Sequence, residues 1–339
     1  MTFWHSPPMG EFELLALLRE RLPAPGPQVR LGSGDDAAVS VPAGATATSV
    51  DALVEGVHFR RETAPLRQIG RKAISTALSD LAAMGAAPGE AYVALGAPEG
   101  LGEAELLELG EGLAAVAAET GTTIAGGDLT RAPALTLAVT VVGHAPRPED
   151  FVTRGGARPG DLLVVTGELG GAAAGLLLLG DPSISVDEAE ALKARQLDPT
   201  PRLAAGQALA AAGATAMIDV SDGLAGDAVH VAEASGALLV IEAEALPIAT
   251  GVAAVAEASG RDPLELAVSG GEDYELLAVL PPDRVDAARA ALATRGTPLT
   301  VVGKVELSDG AQGRAEIRRP DGEAVPSRGF DQLRPRRPR

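Results

Sequence analysis

Acidic side chains at the ends of apolar strands are the residues of this chain with the most chemistry to offer. Gly32-Ser33-Gly34-Asp35-Asp36-Ala37-Ala38 and its continuation from Ser49 to Phe59 place four acids (Asp35, Asp36, Asp51, Glu55) and His58 on two short strand-like pieces. Two adjacent Asp side chains repel each other by roughly 1–4 kcal/mol at about 4 Å, so a cation or hydrogen-bond donors should lie nearby. Oxygen-only ligands of this kind suit Mg²⁺. Taken alone, Gly-Asp-Asp reads more readily as a polar turn between strands. Recurrence favours chemistry: the same pattern returns as Ala125-Gly126-Gly127-Asp128, Ile218-Asp219-Val220-Ser221-Asp222-Gly223 and Ser269-Gly270-Gly271-Glu272-Asp273. Four such turns suggest one shared multi-carboxylate site.

The elements that must position these residues follow from periodicity. Apolar residues at helical spacing predict helices over Glu11 to Leu22, Arg67 to Met84 (stopped by Gly85), Glu103 to Thr120, Arg202 to Ala212, Leu224 to Ser235 and Asp283 to Arg295. On the second helix Lys72, Thr76 and Asp80 share one stripe, which reads as either a solvated face or part of a site. Strands are expected at Thr46 to Val50 and Ala52 to Val57, joined by Asp51, and at Thr122 to Ala125, which would deliver Gly126-Gly127-Asp128 as a turn into a strand from Leu135 to Val142. Further strands are read at Leu162 to Thr166, Met217 to Val220, Leu238 to Ile241, Tyr274 to Leu280 and Leu299 to Val302. Ser221 or Asp222 would cap the helix that follows them, and a helix N-terminus is also an anion site. Gly167-Glu168-Leu169-Gly170-Gly171 imitates a phosphate loop but lacks Gly-Lys-Ser/Thr and the G-x-G-x-x-G register, so it reads as a packing turn that could touch phosphate. Asp181 to Glu190 reads as an acidic surface excursion.

Pro146-Arg147-Pro148 interrupts the pattern and divides the chain into two domains, 1–146 and 147–333, with 334–339 as a Pro/Arg-rich tail expected to be disordered. At 339 residues each domain can bury its own core. No apolar run approaches the 18 or so residues that spanning requires, and the first residues lack a signal-peptide pattern, so a cytoplasmic location is expected. A formal net charge of −18 argues against a nucleic-acid surface. An acidic protein that handles phosphates would rely on metal ions and backbone amides. The absence of cysteine excludes disulfides, thiolate metal sites and cysteine nucleophiles.

Asp36, Asp51, Asp80, Asp128, Asp219 and Asp222 together supply about the number of oxygen ligands that several Mg²⁺ ions and a triphosphate would require. With no Cys, four His and no Ser placed beside His and Asp in a motif, covalent catalysis has no evident agent. Phosphoryl transfer needs none, because positioning and charge neutralisation carry most of it.

The chain resembles the thiamine-monophosphate kinase family of the aminoimidazole-ribonucleotide-synthetase-like, ATP-dependent superfamily. The pieces that carry the resemblance are Gly32 to Asp36, Asp51 to Phe59, Leu78-Ser79-Asp80-Leu81-Ala82-Ala83-Met84-Gly85, Gly126-Gly127-Asp128, Asp219 to Leu224 and Ser269 to Glu275, in order along the chain. The resemblance implies a two-domain α/β (α+β) subunit whose N-terminal half binds ATP and Mg²⁺ and pairs with its counterpart to form a homodimer. It implies that Asp36, Ser49, Asp51, Asp80, Asp128, Asp219 and Asp222 ligate Mg²⁺, with Val50 able to offer its carbonyl. Gly127, Asp128, Arg154 and Ser221 would contact ATP, and His58, Glu272 and Phe330 would hold thiamine monophosphate. Val50 stands where the family commonly carries Thr, which removes a side-chain ligand. Phe330 stands where Tyr is expected, which keeps stacking on a cationic thiazolium and forgoes a hydroxyl. Two relatives with other substrates, selenophosphate synthetase and a hydrogenase-maturation protein, resemble chains that use a cysteine or selenocysteine, and this chain has neither. A non-catalytic nucleotide-binding dimer is disfavoured because every motif carboxylate is present.

Overall fold

The computed structural model describes residues 11–308, 313–321 and 325. The chain forms two units. The first takes in residues up to Ala43, Thr48–Ala77 and Pro88–Gly143; the second takes in Gly44–Ala47, Leu78–Ala87 and the chain from His144 onward.

In order, the first part of the chain runs α1 (Glu11–Arg21), β1 (Val29–Leu31), β2 (Val39–Ser40), β3 (Ala45–Val54), α2 (Leu66–Ala83), β4 (Ala87–Ala97), α3 (Glu103–Thr120), β5 (Thr123–Arg131) and β6 (Thr136–Ala145). β3, β6, β4 and β5 make a four-stranded sheet in that order, so β3 and β5 are its edges. β1 and β2 pair antiparallel as a separate two-stranded sheet. α2 buries Ile69, Ala73, Ala77, Leu78 and Leu81, the face that its period predicts, and stops at Gly85 (φ 66°). Its Lys72 and Thr76 are 3% and 2% exposed, so the stripe they share with the partly buried Asp80 is not a solvated face.

Two strand expectations change. Asp51 does not join two strands: β3 is continuous across it, with alternating exposure along its length. Gly126-Gly127-Asp128 is not a turn either, because β5 runs on through it parallel to β4, with a register irregularity opposite Ala91 and Tyr92. Gly127 fits there for want of a side chain, since a Cβ would stand 2.2 Å from the carbonyl oxygen of Val93.

The second part runs β7 (Leu162–Thr166), α4 (Gly171–Gly180), α5 (Ala189–Leu197), α6 (Leu203–Ala212), β8 (Ala216–Asp219), α7 (Leu224–Ser235), β9 (Leu238–Glu242), α8 (Val252–Ser259), α9 (Pro263–Ser269), β10 (Leu276–Leu280), α10 (Val285–Ala293), β11 (Leu299–Glu306) and β12 (Arg314–Arg318). Its six-stranded sheet has the order β12-β9-β11-β7-β10-β8, antiparallel throughout except where β12 pairs parallel with β9. β8 and β10 are buried at every residue, which is why they read as apolar runs rather than alternating ones. The main core lies where this sheet meets α7 and α9, through Leu163, Val165, Ile218, Leu224, Val231, Val268 and Leu277. A second cluster joins α4, α5 and α8 through Ala174, Leu178, Leu192, Val252 and Val255. The acidic excursion expected up to Glu190 ends in α5, which starts at Ala189. Among the described residues no helix is long and apolar enough to cross a membrane.

Candidate functional site

The motif aspartates of the first unit are exposed or half-buried. Asp36 is exposed in the β1–β2 connection, where its backbone N–H donates to Asp35 Oδ1 at 2.9 Å. Ser49 and Asp51 are half-buried on β3, while the Val50 side chain between them is 63% exposed, which leaves its carbonyl as the group with any ligand character. Asp128 lies on β5, in register with Ala94. β3 and β5 are separated by two strands, so the strands that carry Asp51 and Asp128 lie roughly 14 Å apart across the sheet of one chain. Glu55, the fourth acid of the opening segment, is spent on structure. Its carboxylate accepts from Arg61 Nε at 2.7 Å and from the Leu135 N–H at 3.1 Å. Burial would raise its pKa, and these partners outweigh burial and leave it lowered.

His58 follows β3, and its Nδ1 accepts the Val54 N–H at 3.1 Å. The neutral imidazole therefore carries its proton on Nε2, which presents a donor and not a base. That suits binding.

In the second unit two turns are built as one. β8 ends at the buried Asp219, in register with Leu276 of β10. Beyond that pair the backbones stay joined: Val220 N–H donates to Glu275 O at 2.7 Å, Tyr274 N–H to Val220 O at 2.9 Å, and Glu272 N–H to Ser221 O at 2.7 Å. Two glycines permit the approach. Gly223 (φ 102°) lies against the Val268–Ser269 backbone, and Gly271 (φ 72°) would set a Cβ 2.8 Å from Ser221 O. Glu272 and Tyr274, at φ 61° and 49°, are the non-glycine residues with positive φ among the described ones. Such strain collects where function requires it.

Neither Ser221 nor Asp222 caps α7 with its side chain; the cap position is Gly223. The buried Asp227, inside the first turn, accepts the backbone N–H groups of Ser221 at 3.0 Å and Asp222 at 3.2 Å. Burial, then the neighbouring Asp219 and Asp222, push its pKa up to about 8. Asp222 is itself raised by burial and by Glu272, with His230 acting the other way. This crowding of negative groups is the chemistry that a hard divalent cation relieves. Among the described residues, however, no three His, Asp or Glu side chains converge on one point in a metal-holding arrangement.

Around these turns a second layer of polar ties fixes the loop from Ser269 to Glu275. Asp273 accepts the N–H groups of Gly170 (2.8 Å) and Ala172 (3.2 Å), so the Gly167–Gly171 turn offers those amides to protein and not to phosphate. The buried Glu275 is gripped by Arg202 at 2.5 and 2.8 Å and by Thr166 Oγ1 at 2.7 Å. Gln196 Nε2 donates to Glu272 Oε2 at 2.5 Å.

Residues 34–145 match the AIR synthase related protein N-terminal domain, and residues 158–315 match its C-terminal domain. A thiamine-monophosphate kinase of Mycobacterium tuberculosis (strain H37Rv) is 41% identical over 278 residues, 80% of this chain and 80% of that one. The chain belongs to the thiamine-monophosphate kinase family of AIR synthase related proteins. Within that family, the crystal structure of thiamine-monophosphate kinase from Stenotrophomonas maltophilia K279a superposes with a TM-score of 0.81 at 36% identity, covering 94% of this chain and 98% of that one. A structure of AaThiL complexed with AMPPCP and TMP superposes with a TM-score of 0.76 at 32% identity, covering 96% and 97%.

The site residues expected from the family motifs thus fall into two groups. Asp219, Ser221, Asp222 and Glu272 are brought together by the joined turns. Asp36 lies in the β1–β2 connection, Ser49, Val50, Asp51, Gly127 and Asp128 lie on β3 and β5 with His58 just beyond β3, Asp80 lies near the end of α2, and Arg154 is exposed ahead of β7. Phe330 lies outside the described residues. Asp227, Gln196 and Arg202 were not legible as site residues, whereas Asp273 and Glu275 were read as part of the motif but not as its internal ties. Asp227 reads as an ordinary acid in a first helical turn, and Gln196 meets Glu272 across 76 residues.

Proposed function

We propose that this chain transfers the γ-phosphoryl group of ATP directly onto the phosphate of thiamine monophosphate, giving thiamine diphosphate and ADP. The likeness over 96% of the chain to a relative that carries AMPPCP and TMP is the observation that carries this reading. The joined turns support it, since they place Ser221, expected at ATP, in backbone contact with Glu272, expected at thiamine monophosphate.

In this reading Asp36, Ser49, the Val50 carbonyl, Asp51, Asp80, Asp128, Asp219 and Asp222 would hold Mg²⁺, which their oxygen-only chemistry fits. Bound Mg²⁺ neutralises phosphate charge and so lets two polyanions approach. Gly127, Asp128, Arg154 and Ser221 contact the nucleotide, and Phe330 stacks on the thiazolium. His58 donates from Nε2 to the substrate. No protein nucleophile is needed, and the acceptor phosphate, with its second pKa near 6, is already largely ionised at neutral pH without a base.

The domain spanning 1–146 is assigned to ATP, Mg²⁺ and dimerisation, and 147–333 to the C-terminal α/β domain. A homodimer is supported by exposed Leu31, Val39, Val41, Val50 and Val57 on or beside β1, β2 and the edge strand β3. The test is incubation with ATP, Mg²⁺ and a panel of thiamine and purine-pathway phosphates. Thiamine diphosphate from thiamine monophosphate is expected; turnover of another acceptor, or of none, overturns the assignment.

A further inference from the structure

Two donors from one short stretch of chain, Gln196 and Arg202, tie down the loop from Ser269 to Glu275, a third, Arg195, ties the neighbouring turn, and their charges differ. Arg195 ion-pairs with Glu168, and Arg202 grips Glu275. Between them in sequence, Gln196 is 3% exposed at the end of α5 and donates its amide N–H to Glu272. Two guanidinium groups are thus matched to acids within the framework. The acid expected at the substrate faces an uncharged amide.

That difference has a physical consequence. Glu272 sits at φ 61°, a strained conformation that persists only when its surroundings fix it. Its N–H is fixed by Ser221 O and its carboxylate by Gln196. A guanidinium or ammonium at position 196 would fix the carboxylate too, but would also compensate its charge and compete with a cationic ligand. A primary amide orients the carboxylate and adds no charge.

We propose that Gln196 is a positioning residue that aims the Glu272 carboxylate at the cationic heteroaromatic part of the substrate and so sets affinity for that substrate and not for the nucleotide. This rests on the kinase reading above. A merely structural role would lower stability and weaken both substrates alike.

The test compares wild type with Gln196→Leu, which removes the donor at similar volume, Gln196→Met as a second donorless variant, and Gln196→His, which restores an N–H. For both donorless variants KM for thiamine monophosphate is expected to rise roughly tenfold to a hundredfold, the range for a hydrogen bond to a charged group, with KM for ATP within about twofold of wild type. Gln196→His should recover most of that loss, and adding Gln196→Leu to Glu272→Gln should change KM little further. An unchanged KM for thiamine monophosphate, or equal rises for both substrates, overturns the proposal. Wild type assayed alongside reports on the kinase reading alone. If wild type is inactive, crystal structures of wild type and Gln196→Leu still decide: Glu272 unmoved in the variant overturns the proposal, and a displaced carboxylate supports it.

Discussion

The backbone N–H of Glu272 donates to the carbonyl oxygen of Ser221 across 2.7 Å. The turn expected to hold the acceptor and the turn expected to hold the nucleotide therefore cannot move independently. Gly271 makes the contact possible, being at φ 72° with no room for a Cβ beside Ser221 O. Gly271→Ala is expected to cost about 1–3 kcal/mol in urea unfolding and to raise KM for both substrates. A variant that keeps wild-type KM for either substrate would separate the turns.

Breaking the Arg202–Glu275 pair should be costly. Glu275 is buried, and removal of its guanidinium leaves an uncompensated charge beside Thr166. Arg202→Met is expected to lose about 3 kcal/mol, the low end of the range for such breakage because Arg202 is partly exposed. Replacing both residues by Met should recover much of that loss. Unfolding free energies of the two single variants and the double variant check this, and a loss below about 1 kcal/mol for Arg202→Met would contradict it.

Asp273 gives a pH dependence with a definite sign. Burial, only partly offset by the amides of Gly170 and Ala172, raises its pKa from 3.8 to about 7. Between those values the folded state holds a proton that the unfolded state has released, so this group's contribution to stability falls as pH rises, by at most about 1.4 kcal/mol per unit. Asp273→Asn cannot titrate, so the stability difference between wild type and variant should shift in favour of the variant from pH 4 to 7 and stay level above. Urea midpoints across this window read it directly; a shift in favour of wild type is the contrary result.

Asp51→Asn is expected to reduce kcat roughly 10³-fold, the loss of a metal ligand, while leaving the apo protein as stable as wild type or more so. Asp51 is an interior residue of β3, and neutralising one carboxylate in a cluster of acids relieves like-charge repulsion. Full activity would remove Asp51 from the site.

Much of the framework was legible because its pattern is local. The periodicity of α2, the stop at Gly85 and the apolar runs of β7 and β10 each require only neighbouring residues to read. Where the reading failed, the deciding contact was distant. Gly126-Gly127-Asp128 looks like a turn until β4 is placed beside it, since Gly127 answers to the Val93 carbonyl across the sheet. Asp51 looks like a connection between two alternating strands, yet β3 runs on through it as one edge strand. The motif acids were visible as acids. What holds them was not, because Gln196, Asp227 and Arg202 have no spacing that announces their partners.

The central claim is direct transfer from ATP to thiamine monophosphate on this chain. The most direct measurement uses ATP made chiral at a γ-thiophosphate, with Mg²⁺ and thiamine monophosphate, and determines the configuration of the product. One in-line displacement inverts the centre, and two displacements through a phosphorylated protein restore it. The account predicts thiophosphorylated thiamine monophosphate with inverted configuration; retention of configuration, or no labelled thiamine product, would contradict it.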